Sequence, residues 1–77
     1  MTWDDEPSEM QLGTIFSWLR WCVDRQTASD AVNWLQQNAT RRDVSYEMTR
    51  LKGLKEKHRL DGSTCFKSDI WEGFEHE

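Results

Sequence analysis

Apolar residues recur at helical spacing in three stretches of this chain. The first stripe is Leu12, Ile15, Phe16, Leu19 and Val23, the repeat that lines one side of a 3.6-residue helix. It predicts a helix opening at Pro7-Ser8, with Ser8 and Gln11 at capping-box spacing to satisfy the free N–H groups of the first turn. Gly13 weakens that turn, so Thr14 is an alternative start. The second stretch, "TASDAVNWLQQN", buries Ala28, Ala31, Val32 and Leu35; Thr27 is its expected cap, Asp30 completes a capping box, and Asn38 is a left-handed stop. The link between these helices is short enough to make them packed neighbours. The third stretch, "TRRDVSYEMTRL", starts with Thr40 and Asp43 at the same capping spacing and puts Val44, Met48 and Leu51 on one side. Its other side carries Arg42, Ser45, Tyr46, Thr49 and Arg50, a cationic and hydrogen-bonding face.

After Leu51 the pattern supports two readings. In the first, Gly53 ends the helix, because a glycine inside one costs about 1 kcal/mol. "LKEKHRL" then alternates as a strand, with Leu54, Glu56, His58 and Leu60 on one face and Lys55, Lys57 and Arg59 on the other. Asp61-Gly62 turns a hairpin, and Ser63 to Phe66 pairs back. In the second reading, helix propensity carries the third helix to Leu60 and Gly62 is the residue just past its end. The fold expected is therefore mainly α: a three-helix core with a C-terminal β-hairpin and a short terminal helix, or alternatively an all-α bundle. Ser68 is the expected cap of that closing helix, whose Ile70, Trp71 and Phe74 dock on the core. Residues 1–7 read as a disordered tail, 8–75 as one small domain and 76–77 as a free end.

Charge divides the chain. Residues 1–39 hold six acids and two bases, residues 40–67 eight bases and four acids, and residues 68–77 four acids and no base. The overall charge is -4. Salt screens charges over about 8–10 Å, so a basic middle can meet an anionic partner inside an acidic protein. The acidic N-terminus lacks the apolar core of a signal peptide, and no apolar run reaches membrane-spanning length. Those features, with two cysteines outside any CxxC unit, point to a cytoplasmic protein with free thiols.

Nothing in the spacing of Cys22, Cys65, His58 and His76 matches a zinc site, so no metal or other cofactor is expected. In the hairpin reading Cys65 and His58 are cross-strand neighbours, but no third group would orient them as nucleophile and base. With no glycine-rich phosphate loop and little room for a cleft, neither enzyme activity nor a small-molecule substrate is expected. The five tryptophans exceed what so small a core needs. Trp18 and Trp21 border the first stripe, and an exposed pair of this kind is an anchor for another protein.

The order helix, helix, cationic third helix and then "LKGLKEKHRLDGSTCF" resembles winged helix-turn-helix DNA-binding domains. The closing "FKSDIWEGF" is similar to the end of small excisionase-type regulators. The resemblance implies a transcription regulator whose third helix enters the major groove of double-stranded DNA. Arg41, Arg42, Ser45, Tyr46, Thr49 and Arg50 would then face the groove, while Lys55, Lys57 and Arg59 reach phosphates from the wing. The physical basis is independent: arginine makes bidentate contacts to guanine or phosphate, and hydroxyls bind phosphate oxygens. The rival expectation is a protein-binding module, an inhibitor or adaptor, that uses Trp18, Trp21 and the acidic ends.

Overall fold

In a computed structural model, which describes residues 5–74, three helices are followed by an irregular segment wrapped back onto them. They are α1 (Glu9–Leu19), α2 (Arg25–Asn38) and α3 (Arg41–Glu56), and a 3-10 turn spans Asp69–Trp71. α1 packs against both other helices and so forms the shared wall of the core. Ile15 and Leu19 from α1, Ala28, Ala31 and Leu35 from α2, and Val44 and Leu51 from α3 are fully buried there.

Two of the three helix starts follow the capping chemistry of the sequence. Ser8 and Gln11 exchange backbone and side-chain hydrogen bonds at α1, and Thr40 and Asp43 do so at α3. Thr14 is not a start; its hydroxyl donates to the Met10 carbonyl inside α1 at 2.9 Å. α2 begins earlier than the Thr27 cap implies. Asp24 is its N-cap residue, and Thr27 is buried in the first turn with its hydroxyl donated to the Asp24 carboxylate. That bond holds the Asp24 carboxyl below the usual carboxylate range.

The β-hairpin wing is absent: the described residues contain no strand. α3 passes through Gly53 to Glu56, which also stops short of the alternative end at Leu60. The helix closes by a Schellman motif. Arg59 N–H donates to the Leu54 carbonyl at 2.8 Å, and His58 N–H to the Lys55 carbonyl at 3.1 Å. His58 takes the left-handed position (φ 58°) that glycine normally fills. Asp61-Gly62 then opens a helical turn rather than a hairpin. The Asp61 carboxylate accepts from Ser63 N–H at 2.8 Å, Ser63 Oγ at 2.7 Å and Thr64 N–H at 3.0 Å. Asp61 thus acts as a cap, which outcompetes the two-residue turn. The Ser63 hydroxyl is the main cause of a lowered Asp61 pKa.

The segment after that turn is fastened by an aromatic cluster and by one buried carboxylate. Trp71 stacks on Trp34 of α2 with ring centroids 5.9 Å apart, while Phe66 and Phe74 lie 4.9 and 5.4 Å from Trp71. Glu47 of α3 is fully buried. Its Oε1 accepts from the Trp71 indole N–H at 2.9 Å and its Oε2 from the Ser68 hydroxyl at 2.9 Å. The remaining valences take the Arg50 guanidinium, whose Nε lies 3.0 and 3.1 Å from the two oxygens and whose Nη2 bonds Oε1. Ser68 occupies the N-cap position of the 3-10 turn without a capping hydrogen bond, because its hydroxyl goes to Glu47.

A misplaced glycine gives the first prediction. A methyl group on Gly53 meets nothing within 4 Å, so Gly53→Ala should raise stability by about 0.5–1 kcal/mol through backbone entropy. His58→Gly should also stabilise, by up to about 1 kcal/mol, by relieving the left-handed strain. Urea denaturation of both variants checks this. A loss in the first would mean α3 is not helical through residue 53.

Candidate nucleic-acid interface

α1 and α3 lie side by side and run in the same direction. Near their N-terminal ends Gln11 Nε2 donates to Ser45 Oγ at 2.7 Å. Near their C-terminal ends Lys55 Nζ stands 5.4 Å from the ring centroid of Trp21. The face of α3 that turns away from the core carries Arg42, Ser45, Tyr46, Thr49 and Lys52, all exposed. Tyr46 is 70% exposed. The Ser45 hydroxyl is engaged by Gln11, and that of Thr49 donates to the Ser45 carbonyl at 3.2 Å.

The expected basic surface is split. Arg50 does not join it. Besides holding Glu47, its guanidinium donates to the carbonyls of Thr64 at 3.0 Å and Cys65 at 2.7 Å, which uses the fork to fasten the chain after α3. Arg41 donates from Nε to the Glu6 carbonyl at 3.1 Å. With Arg42, Thr40 and Asp5 it lines a shallow cleft of about 470 Å3, so an acid lies beside the two arginines. The second group is at the far end of α3, where Lys52, Lys55, Lys57 and Arg59 are all exposed and none is ion-paired among the described residues. Ten positions separate Arg42 from Lys52, the nearest member of that group, or about 15 Å along a helix, roughly twice the screening length of about 8 Å at physiological salt. The two groups act as separate patches. With no wing, Lys55 belongs to the last turn of α3, Lys57 is its C-cap residue, and Arg59 lies in the closing motif.

The tryptophans also separate. Trp18 is half-buried against the core, whereas Trp21 is 73% exposed. Trp21, Lys55, His58 and Leu60 line a cleft of about 350 Å3. The aromatic side chain singled out for a protein partner and the lysine singled out for phosphate therefore share one surface. Sequence reasoning missed Lys52, three residues after Thr49 on the outward face, and His58 and Leu60, which join Trp21 only because α3 continues past Gly53. Residues 1–4 and 75–77, which contain part of each acidic end, lie outside the described residues.

Cys65 is buried and His58 is exposed, so the cross-strand nucleophile–base pairing does not exist. Burial is the main cause that pushes the Cys65 thiol up to about 12. Among the described residues, no three His, Cys, Asp or Glu side chains cluster as a metal site requires, and no helix is long and apolar enough to cross a membrane. Comparison with known proteins finds no family model, no curated protein and no solved structure that matches this chain.

Arginine substitutions distinguish the two kinds of basic residue. Arg50→Ala strands the buried Glu47 carboxylate and should destabilise by about 3–5 kcal/mol. Arg42→Ala, on the surface, should change stability by no more than about 0.5 kcal/mol. Thermal melts of the two proteins side by side check this.

Proposed function

We propose that this chain is a non-enzymatic regulator that binds double-stranded DNA, using the C-terminal end of α3 and the segment after it as its main phosphate contact. The observation that carries the reading is the group Lys52, Lys55, Lys57 and Arg59, four exposed cations within eight residues and with no carboxylate paired to them among the described residues. Lysines near a helix C-terminus are favoured by the helix dipole, which accounts for Lys55 in the last turn. Lys57, the C-cap residue, shares that benefit, whereas Arg59 lies two residues further on. Arg42, with the outward Tyr46 and Thr49, offers a second, separate contact further along α3, and the Trp21 ring stands beside Lys55 as an apolar contact. Cytoplasmic residence belongs to the same proposal.

A second reading rests on Trp21. An indole this exposed, next to Leu60, suits the centre of a protein interface, with Lys55 and His58 at its rim. The two readings differ in their response to salt.

The test is a binding series with duplex DNA from about 50 to 200 mM salt. Replacing Lys52, Lys55, Lys57 and Arg59 by Gln should weaken binding and flatten the log–log salt slope by roughly 3–4, about 0.9 per lost phosphate contact. The melting temperature should barely move. Absence of wild-type binding at the lowest salt would remove the DNA reading.

A further inference from the structure

Cys22 and Cys65 are separated by most of the folded chain, yet the fold brings them together. Cys22 lies in the turn leaving α1, where its Sγ donates to the Leu19 carbonyl at 3.4 Å. The Asp61–Cys65 turn sits directly on this stretch: a Cβ on Gly62 would stand 3.4 Å from the Cys22 carbonyl oxygen. Both cysteines belong to the same core cluster and both are free; Cys65 is fully buried and Cys22 half-buried. Each thiol also contributes to the raised or lowered proton affinity of the other, as neighbouring side chains do.

We propose that Cys22 and Cys65 are a disulfide-forming pair, oxidised in exchange with a small disulfide such as oxidised glutathione, and that the bond clips the segment after α3 to the end of α1. As reduced thiols they serve as small apolar residues of the core cluster. The added property is that a bond between them would join two turns that already touch, the one leaving α1 and the one after α3. The half-buried Cys22 reacts first. Its thiolate attacks one sulfur of the small disulfide, forming a mixed disulfide and releasing one small thiolate. The Cys65 thiolate then attacks the Cys22 sulfur and releases the second small thiolate. The two protons lost by the protein thiols end on the two released thiols, and one small disulfide has been reduced as one protein disulfide forms. Burial is the main cause raising both thiol pKa values, so exchange is slow near neutral pH and quickens as the pH rises. The redox poise of the surroundings then sets which state persists. The clipped segment is the one that carries Lys57 and Arg59, but the inference stands whether or not the chain binds DNA.

The experiment treats the reduced full chain with glutathione disulfide at mildly alkaline pH and follows intact mass and peptide maps. The expected product is a monomer lighter by about 2 Da, with Cys22 and Cys65 cross-linked and no retained glutathione. Closing so long a loop should raise its melting temperature by roughly 10 °C or more, reversed by a reductant. Cys65→Ala should stop at a single glutathione adduct on Cys22, whereas Cys22→Ala should take up none. Wild-type protein that keeps stable glutathione adducts, forms covalent dimers or stays at its starting mass would overturn the proposal.

Discussion

A carboxylate buried without charged or hydrogen-bonding partners is among the least tolerable groups in a small protein, and Glu47 places one at the centre of this one. It is kept because three side chains converge on it: the Arg50 guanidinium, the Ser68 hydroxyl and the Trp71 indole. Two of these come from the C-terminal segment, so α3 alone cannot satisfy its own glutamate. The same guanidinium bridges to the Thr64 and Cys65 carbonyls, which have no strand partner. The network therefore does for this segment what a sheet ladder would do elsewhere. Whole-domain stability is only about 5–15 kcal/mol, so loss of one member is a large fraction of the total. The aromatic contacts of Trp34, Phe66, Trp71 and Phe74 supply the apolar half of the same joint.

Much of the helical core was legible in the sequence because it depends on local chemistry. Ser8 with Gln11 and Thr40 with Asp43 announce their helices within four residues, and the apolar stripes name Ile15, Leu19, Ala28, Ala31, Leu35, Val44 and Leu51 as core. Docking of Trp71 was legible from its grouping with Ile70 and Phe74 just after Ser68. The start of α2 was not, since Asp24 and Thr27 both offer capping oxygens and the helix starts from the earlier, Asp24. The end of α3 misled more seriously. Helices commonly stop at glycine, and this one passes through Gly53 and stops with His58 in the left-handed position. Asp-Gly normally signals a hairpin, but Ser63 and Thr64 give Asp61 better work as a cap. Glu47 and Arg50 at i, i+3 look like an ordinary surface pair. The missed signal is that Glu47 falls on the Val44–Leu51 stripe, where a glutamate implies a buried partner.

That error changes the functional surface. Counting Arg50 as a groove contact assumed that the side of α3 opposite Val44 was solvent, whereas the returning chain covers Arg50's flank. With Arg50 committed to the fold and Arg41 bound to the Glu6 carbonyl, the unpaired cations move towards the C-terminal end of α3. The helix that sequence patterning cut at Gly53 is what carries Lys55 up to Trp21. Stability and exposed charge thus divide one helix: its core and Arg50 flank hold the tail, and its outward face and far end stay open to solvent.

Hydrogen exchange of the indole N–H groups, followed by NMR across a denaturant series, tests most directly whether the Glu47 network binds the C-terminal segment to the core. The account predicts that the Trp71 indole exchanges only through global unfolding, with the same denaturant dependence as the buried Ile15 and Leu19 amides, while the exposed Trp21 indole exchanges at once. A Trp71 indole that exchanges by local opening, far faster than those amides and independently of denaturant, would contradict it.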